Sequence, residues 1–83
     1  MKKYELIPEG NLFRIRALKD FKDIKKGDLG GLVSGEHNLS YEGNCWIYND
    51  AKVFENAKVF GNAEVFGNAE VFGNAEVYEN AIV

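Results

Sequence analysis

The chain has 83 residues, 46% of them hydrophobic, 28% charged and 13% aromatic, with a single proline. One small domain fits that length, and neither a disordered chain nor a membrane span fits that composition. A formal charge of −3 lacks the basic surplus of a nucleic-acid backbone binder. Cys45 stands alone and so excludes an internal disulfide, and no apolar signal segment follows Met1-Lys2-Lys3-Tyr4-Glu5, which points to the reducing cytoplasm. In chain order, Tyr4-Glu5-Leu6-Ile7, a turn at Pro8-Glu9-Gly10-Asn11 and Leu12 to Leu18 predict a β-hairpin with a half-buried second strand. Residues 1–37 form this cap and an entry segment; they carry eight Lys/Arg against six acids, whereas residues 38–83 carry two against seven. The first part is therefore +2 and the second −5.

Residues 38–83 repeat with a period of six, and such a period decides the architecture. Asn or Asp recurs at Asn38, Asn44, Asp50, Asn56, Asn62, Asn68, Asn74 and Asn80. A mostly small residue follows each one (Leu39, Cys45, then Ala51 to Ala81), and three positions after each lies an apolar residue: Tyr41, Ile47, Val53, Val59, Val65, Val71, Val77, Val83. An aromatic usually comes next, at Tyr48, Phe54, Phe60, Phe66, Phe72 and Tyr78. On this reading eight registers pass without an insertion. Ala-x-Val-aromatic alternates faces, with Ala and Val on one side and the charged residue and the ring on the other, which makes a short strand. Gly61-Asn62, Gly67-Asn68 and Gly73-Asn74 supply the sharp corners between strands. A helix is excluded, because six does not track 3.6 and valine with glycine is poor helix material.

Side-chain stacking supports a coil without fixing its girth. An offset of 18 sets Lys52 over Glu70, Lys58 over Glu76, Phe54 over Phe72, Phe60 over Tyr78 and Tyr48 over Phe66. An offset of 12 pairs Lys52 with Glu64 and Lys58 with Glu70 equally well.

The small residue two places before an aliphatic one, with Asn or Gly-Asn at the corner, resembles the hexapeptide repeat of left-handed parallel β-helices, whose triangular coils take 18 residues. The stretch from Asp20 through Gly27-Asp28-Leu29-Gly30-Gly31-Leu32-Val33, then Asn38-Leu39-Ser40 and Gly43-Asn44-Cys45-Trp46-Ile47-Tyr48, resembles the opening of the YdcK-like single-stranded β-helix proteins of bacteria and their phages. The likeness covers about residues 17–83, and those relatives continue for many more coils. It implies an all-β fold: a left-handed parallel β-helix of about two and a half coils, with the N-terminal β-hairpin as its cap. Handedness comes from the resemblance alone, since the general crossover rule favours right-handed connections.

The chemistry-bearing residues read blandly. Hexapeptide folds are best known in trimeric acyltransferases that use a histidine base, but His37 lies in the entry segment and reads as a solvated loop residue. Cys45 takes the inward small position, as a buried inert thiol. No Cys/His pair has metal-ligand spacing, Gly27 to Gly31 and Gly61-Asn62 read as tight β-corners with no phosphate-loop helix behind them, and the Asn ladder reads as amides bonding between rungs. No catalytic, cofactor-binding or metal-binding residue is expected, and no cofactor. The expected function is a non-enzymatic assembly or interaction module that self-associates as a dimer or trimer. Its contact residues are the outward rings Phe54, Phe60, Phe66, Phe72 and Tyr78, the last positions Ala81, Ile82 and Val83, and the acids Glu64, Glu70 and Glu76. Two further expectations stand beside it: a phage inhibitor that holds a host protein by its acidic aromatic surface, and a hexapeptide-type acyltransferase.

Overall fold

The computed structural model describes residues 2–83. Strands β1 (Tyr4–Glu9) and β2 (Leu12–Ala17) pair antiparallel from Tyr4↔Ala17 to Glu9↔Leu12. The turn is thus only Gly10-Asn11, with Gly10 at φ 62°, the tight two-residue connection that twists with its strands. Pro8 and Glu9 belong to β1 and not to the turn; β1 is an edge strand, where a residue lacking an N–H is tolerated.

Strand β3 (Leu29–Val33) joins the hairpin to the repeat. It runs antiparallel to β2 and parallel to β5 (Lys52–Val53), giving a sheet of order β1-β2-β3-β5-β8, where β8 is Glu70–Val71. The cap is therefore hydrogen-bonded into one face of the coil. This corrects the reading of Gly30 and Gly31 as corner residues. Both lie inside β3 because the strand passes too close to its neighbours for a side chain: a Cβ on Gly30 would sit 2.6 Å from the Ile47 carbonyl oxygen and 2.7 Å from Ile15 Cδ1.

The other two faces are β4 (Trp46–Ile47) with β7 (Glu64–Val65), and β6 (Lys58–Val59) with β9 (Glu76–Val77), both parallel. Trp46↔Glu64, Lys52↔Glu70, Lys58↔Glu76 and Glu64↔Ile82 are each 18 residues apart, so the chain returns to the same face every 18 residues and the offset of 12 is ruled out. The first rung departs from the rule. Val33↔Val53 and Leu39↔Val59 are separated by 20, while Ile47↔Val65 is separated by 18, so two extra residues lie between Leu39 and Ile47. The uninterrupted hexad reading fails at its start: Leu39, 1% exposed, holds the valine position that the sequence assigns to Tyr41. The physical reason is the loop through Ser40–Asn44, which the strict period cannot register.

Alternation matches expectation from β5 to β9, whereas in β4 both Trp46 and Ile47 are buried. Val53, Val59 and Val65 are at most 1% exposed and Val71 and Val77 are 6% and 7%, with Ala51, Ala57 and Ala63 fully buried beside them. Each such valine contributes about 1.5–3 kcal/mol by leaving water.

Corners are held between rungs. Asn49 and Glu55 take left-handed φ values of 58° and 57° although neither is glycine. Their side chains repay that strain, Asn49 Oδ1 accepting the Gly67 N–H at 3.1 Å and Glu55 Oε1 the Gly73 N–H at 2.9 Å, one rung below. Of the Asn ladder, Asn62 behaves as expected and accepts from the Asn44 N–H at 3.3 Å. Asn38 does not sit at a corner: it is fully buried, its Oδ1 accepting from Ser34 and Gly35 and its Nδ2 donating to the Ala57 carbonyl at 2.8 Å.

Candidate functional site

The open end of the first rung is closed by two side chains that the sequence does not single out. Lys3, fully buried, donates from Nζ to the carbonyls of Cys45 (2.8 Å) and Gly43 (3.2 Å), and lies 3.4 Å from Cys45 Sγ. The Tyr4 hydroxyl, also buried, donates to the Leu39 carbonyl. Those carbonyls belong to the end of a parallel coil, where no strand satisfies them, so the donors replace a missing rung. The Nζ also stands 5.1 Å over the Phe21 ring, and Phe21 packs edge-on to Trp46 at 5.3 Å. Burial holds the Lys3 ammonium below its ordinary range, the nearby Cys45 working against that shift, and burial pushes the Tyr4 phenol up.

A groove of about 440 Å³ opens where the two extra residues distort the first rung, lined by Glu36, His37, Tyr41, Glu42, Lys58 and Phe60 among others. His37 begins it, in the 3₁₀ turn Glu36–Asn38, exposed and with Nε2 2.8 Å from the Glu55 carbonyl oxygen. A carbonyl only accepts, so Nε2 donates in this contact. Tyr41 donates its hydroxyl to the Glu36 carboxylate, and desolvation together with that carboxylate raises the phenol to about 12. Among the described residues no group of three or more His, Cys, Asp or Glu side chains is placed to hold a metal ion, and no helix is long and apolar enough to cross a membrane.

The aromatic columns form as the 18-residue offset requires. Tyr48–Phe66, Phe54–Phe72 and Phe60–Tyr78 stack at 4.4, 5.5 and 5.3 Å with interplanar angles of 15° or less. The first is partly covered by the chain's own loop, the Tyr48 hydroxyl donating to Asp23 at 3.0 Å. The lower rings are the open ones, with Phe66 39%, Phe72 55% and Tyr78 46% exposed. Phe54 and Phe60 are half-buried above them. Ala81, Ile82 and Val83 are exposed on the third rung, Ile82 at 71%. Of the acids, Glu64 is ion-paired with Lys22, while Glu70 and Glu76 are exposed directly across the ladders from Lys52 and Lys58. His37 and Cys45 are not brought together: His37 lies at the groove, Cys45 under the cap.

The molecule is thus an all-β protein whose parallel strands stack in three ladders on an 18-residue return. It is similar to an uncharacterised acetyltransferase of Escherichia coli strain K12, YdcK, at 36% identity over 63 residues. That similarity takes in 59% of this chain and 19% of the relative, so the chain spans about a fifth of the relative's length. No protein-family model matches the chain.

Proposed function

We propose that the chain is a left-handed parallel β-helix that acts as a non-catalytic assembly module, its copies associating side by side through the Phe54–Phe72 and Phe60–Tyr78 columns. The observation that carries this reading is the pair of neighbouring columns ending in Phe72 and Tyr78, half or nearly half exposed where their partners above are not. Within each column, stacked rings of that size form an apolar patch of the kind that marks protein interfaces. An end-to-end contact through Ala81, Ile82 and Val83 is the weaker geometry, because two third rungs meeting would bring Glu70 and Glu76 of one copy against the same acids of the other. The acidic surface as a lure for a host protein has less support, since Lys52, Lys58 and Lys22 stand opposite Glu70, Glu76 and Glu64.

The test is light scattering coupled to gel filtration at high micromolar concentration. A dimer or trimer that falls to a monomer on Phe72→Glu with Tyr78→Glu, and survives Val83→Glu, supports the reading; a 9.3 kDa monomer throughout defeats it. Acyl transfer is the second reading, favoured by the naming of YdcK as an acetyltransferase and by the groove beside His37. Saturable binding of acetyl-coenzyme A by calorimetry, abolished in His37→Ala, would establish it in place of a purely structural role.

A further inference from the structure

The buried pair under the cap has chemistry that neither assembly nor acyl transfer uses. Lys3 and Cys45 are 42 positions apart in sequence and both have no solvent exposure, yet Nζ and Sγ lie 3.4 Å apart, van der Waals contact for nitrogen and sulfur. A lysine at that depth costs several kcal/mol unless it is neutral or well paired. Its partners among the described residues are two carbonyls, the thiol and the face of Phe21, none of them a carboxylate. The site is close to the surface all the same. Glu42, Gly43 and Asn44, the residues just before Cys45, are exposed, and the thiol touches the carbonyls of Ser40 and Glu42 in that same irregular loop.

We infer that Lys3 and Cys45 are a peroxide-driven modification site, at which oxidation of the thiol is followed by an N–S bond between Nζ and Sγ. Hydrogen peroxide is the oxidant. The thiol sulfur displaces water from it and becomes a sulfenic acid, two electrons passing from sulfur to the peroxide oxygen. The Nζ lone pair then attacks sulfur, the N–S bond forms as the S–O bond breaks, and the departing hydroxyl leaves as water with an amine proton. Thiol, amine and one peroxide thus give the sulfenamide and two waters. Two equivalents of an external thiol reverse it, restoring amine and thiol and leaving an external disulfide. Sulfenic acids condense in this way with a nearby nitrogen; the 3.4 Å approach places Nζ for it, and burial, which lowers the affinity of Lys3 for its proton, favours the amine form that carries the lone pair. The bond would tie the segment before β1 to the first rung, turning a contact that opens with the cap into a covalent staple.

The experiment treats the folded protein with hydrogen peroxide, quenches and digests it, and reads intact and peptide masses. The expected product is lighter than the starting protein by two hydrogens, has lost its titratable thiol, yields a Lys3–Cys45 cross-linked peptide and reverts with dithiothreitol. Lys3→Arg keeps a cation but removes the primary amine; it is expected to stop at oxygenated Cys45 with no cross-link. Should that variant fail to fold, the same treatment of urea-unfolded wild-type chain serves as the control, since separation of the pair abolishes the cross-link there too. Unlinked Lys3 and Cys45 peptides from the folded protein, or a cross-link retaining an oxygen atom, would overturn the inference.

Discussion

Truncating the valine columns one at a time measures how much each rung is closed by the next. Val65→Ala removes two methyl groups, worth about 0.8 kcal/mol each in transfer, from a site with no exposure. Ile47 stands above Val65, and the Phe66 N–H bonds the Val83 carbonyl below, so the neighbours cannot collapse freely into the space. With the cavity included, the cost is about 2–3 kcal/mol. At 0.05–0.15 kcal/mol per residue the whole domain holds roughly 4–12 kcal/mol, so the variant folds with a melting point lower by roughly 8–16 °C for the first 2 kcal/mol. Val71→Ala, at 6% exposure against none for Val65, costs less, about 1–2 kcal/mol. Val83→Ala, 48% exposed, costs under about 1 kcal/mol. Urea unfolding followed by circular dichroism at one fixed protein concentration reads all three, fixed because association would shift every midpoint. Equal costs at the three positions, or a Phe72→Ala variant that loses more than Val65→Ala, would refute the assignment of valine as core and rings as surface.

The glycines inside β3 and those at the corners should respond differently. Gly30→Ala forces a methyl into the Ile47 carbonyl and Ile15, costing roughly 1–3 kcal/mol or more, whereas Gly67→Ala meets nothing within 4 Å and loses only the roughly 1–2 kcal/mol of a left-handed backbone at φ 65°; a Gly30 variant with the milder urea midpoint would contradict the close packing. Stability should also vary with alkaline pH in a signed way. Lys3 binds its proton less well folded than unfolded, so stability rises with pH between its lowered folded value and its ordinary 10.5, by at most about 1.4 kcal/mol per pH unit. Tyr4, Tyr41 and Tyr48 bind theirs more tightly folded, so stability falls once pH passes their ordinary 10.0. Lys3→Met removes the rise and keeps the fall; variant and wild-type curves that stay parallel all the way up to pH 10.5 would exclude the buried amine.

The regular coils were legible because each hexad repeats the same local choice: a small residue, a valine facing inward, a left-handed corner. Nothing long-range was needed to place Val53 through Val77 inside. The first rung was not legible, because two extra residues between Leu39 and Ile47 move Leu39 into the column and Tyr41 out of it, and a period count has no means of detecting where they were inserted. Lys3 reads as an ordinary surface charge, since its burial depends on carbonyls 40 and 42 positions away. Trp46 likewise occupies an outward position in the pattern and is 1% exposed only because Phe21 and Tyr4 fold across it. Glu55 was missed as a corner residue for a different reason: an acid at positive φ violates local preference, and its compensation lies one rung below.

Because like residues meet only every 18 positions, the coil has something close to a reading frame. Adding or removing a whole turn preserves every column, with valine against valine and ring against ring. Removing a single hexad, residues 62–67 for example, would take out β7, leave the other strands intact and shift everything beyond it by one face. Lys52 would then meet Glu76 and Phe54 would meet Tyr78, both still compatible, but Lys58 would face Ile82 and lose its carboxylate. Length change in such a protein is therefore graded in sixes by backbone geometry and in eighteens by charge, and only the second leaves the surface unaltered.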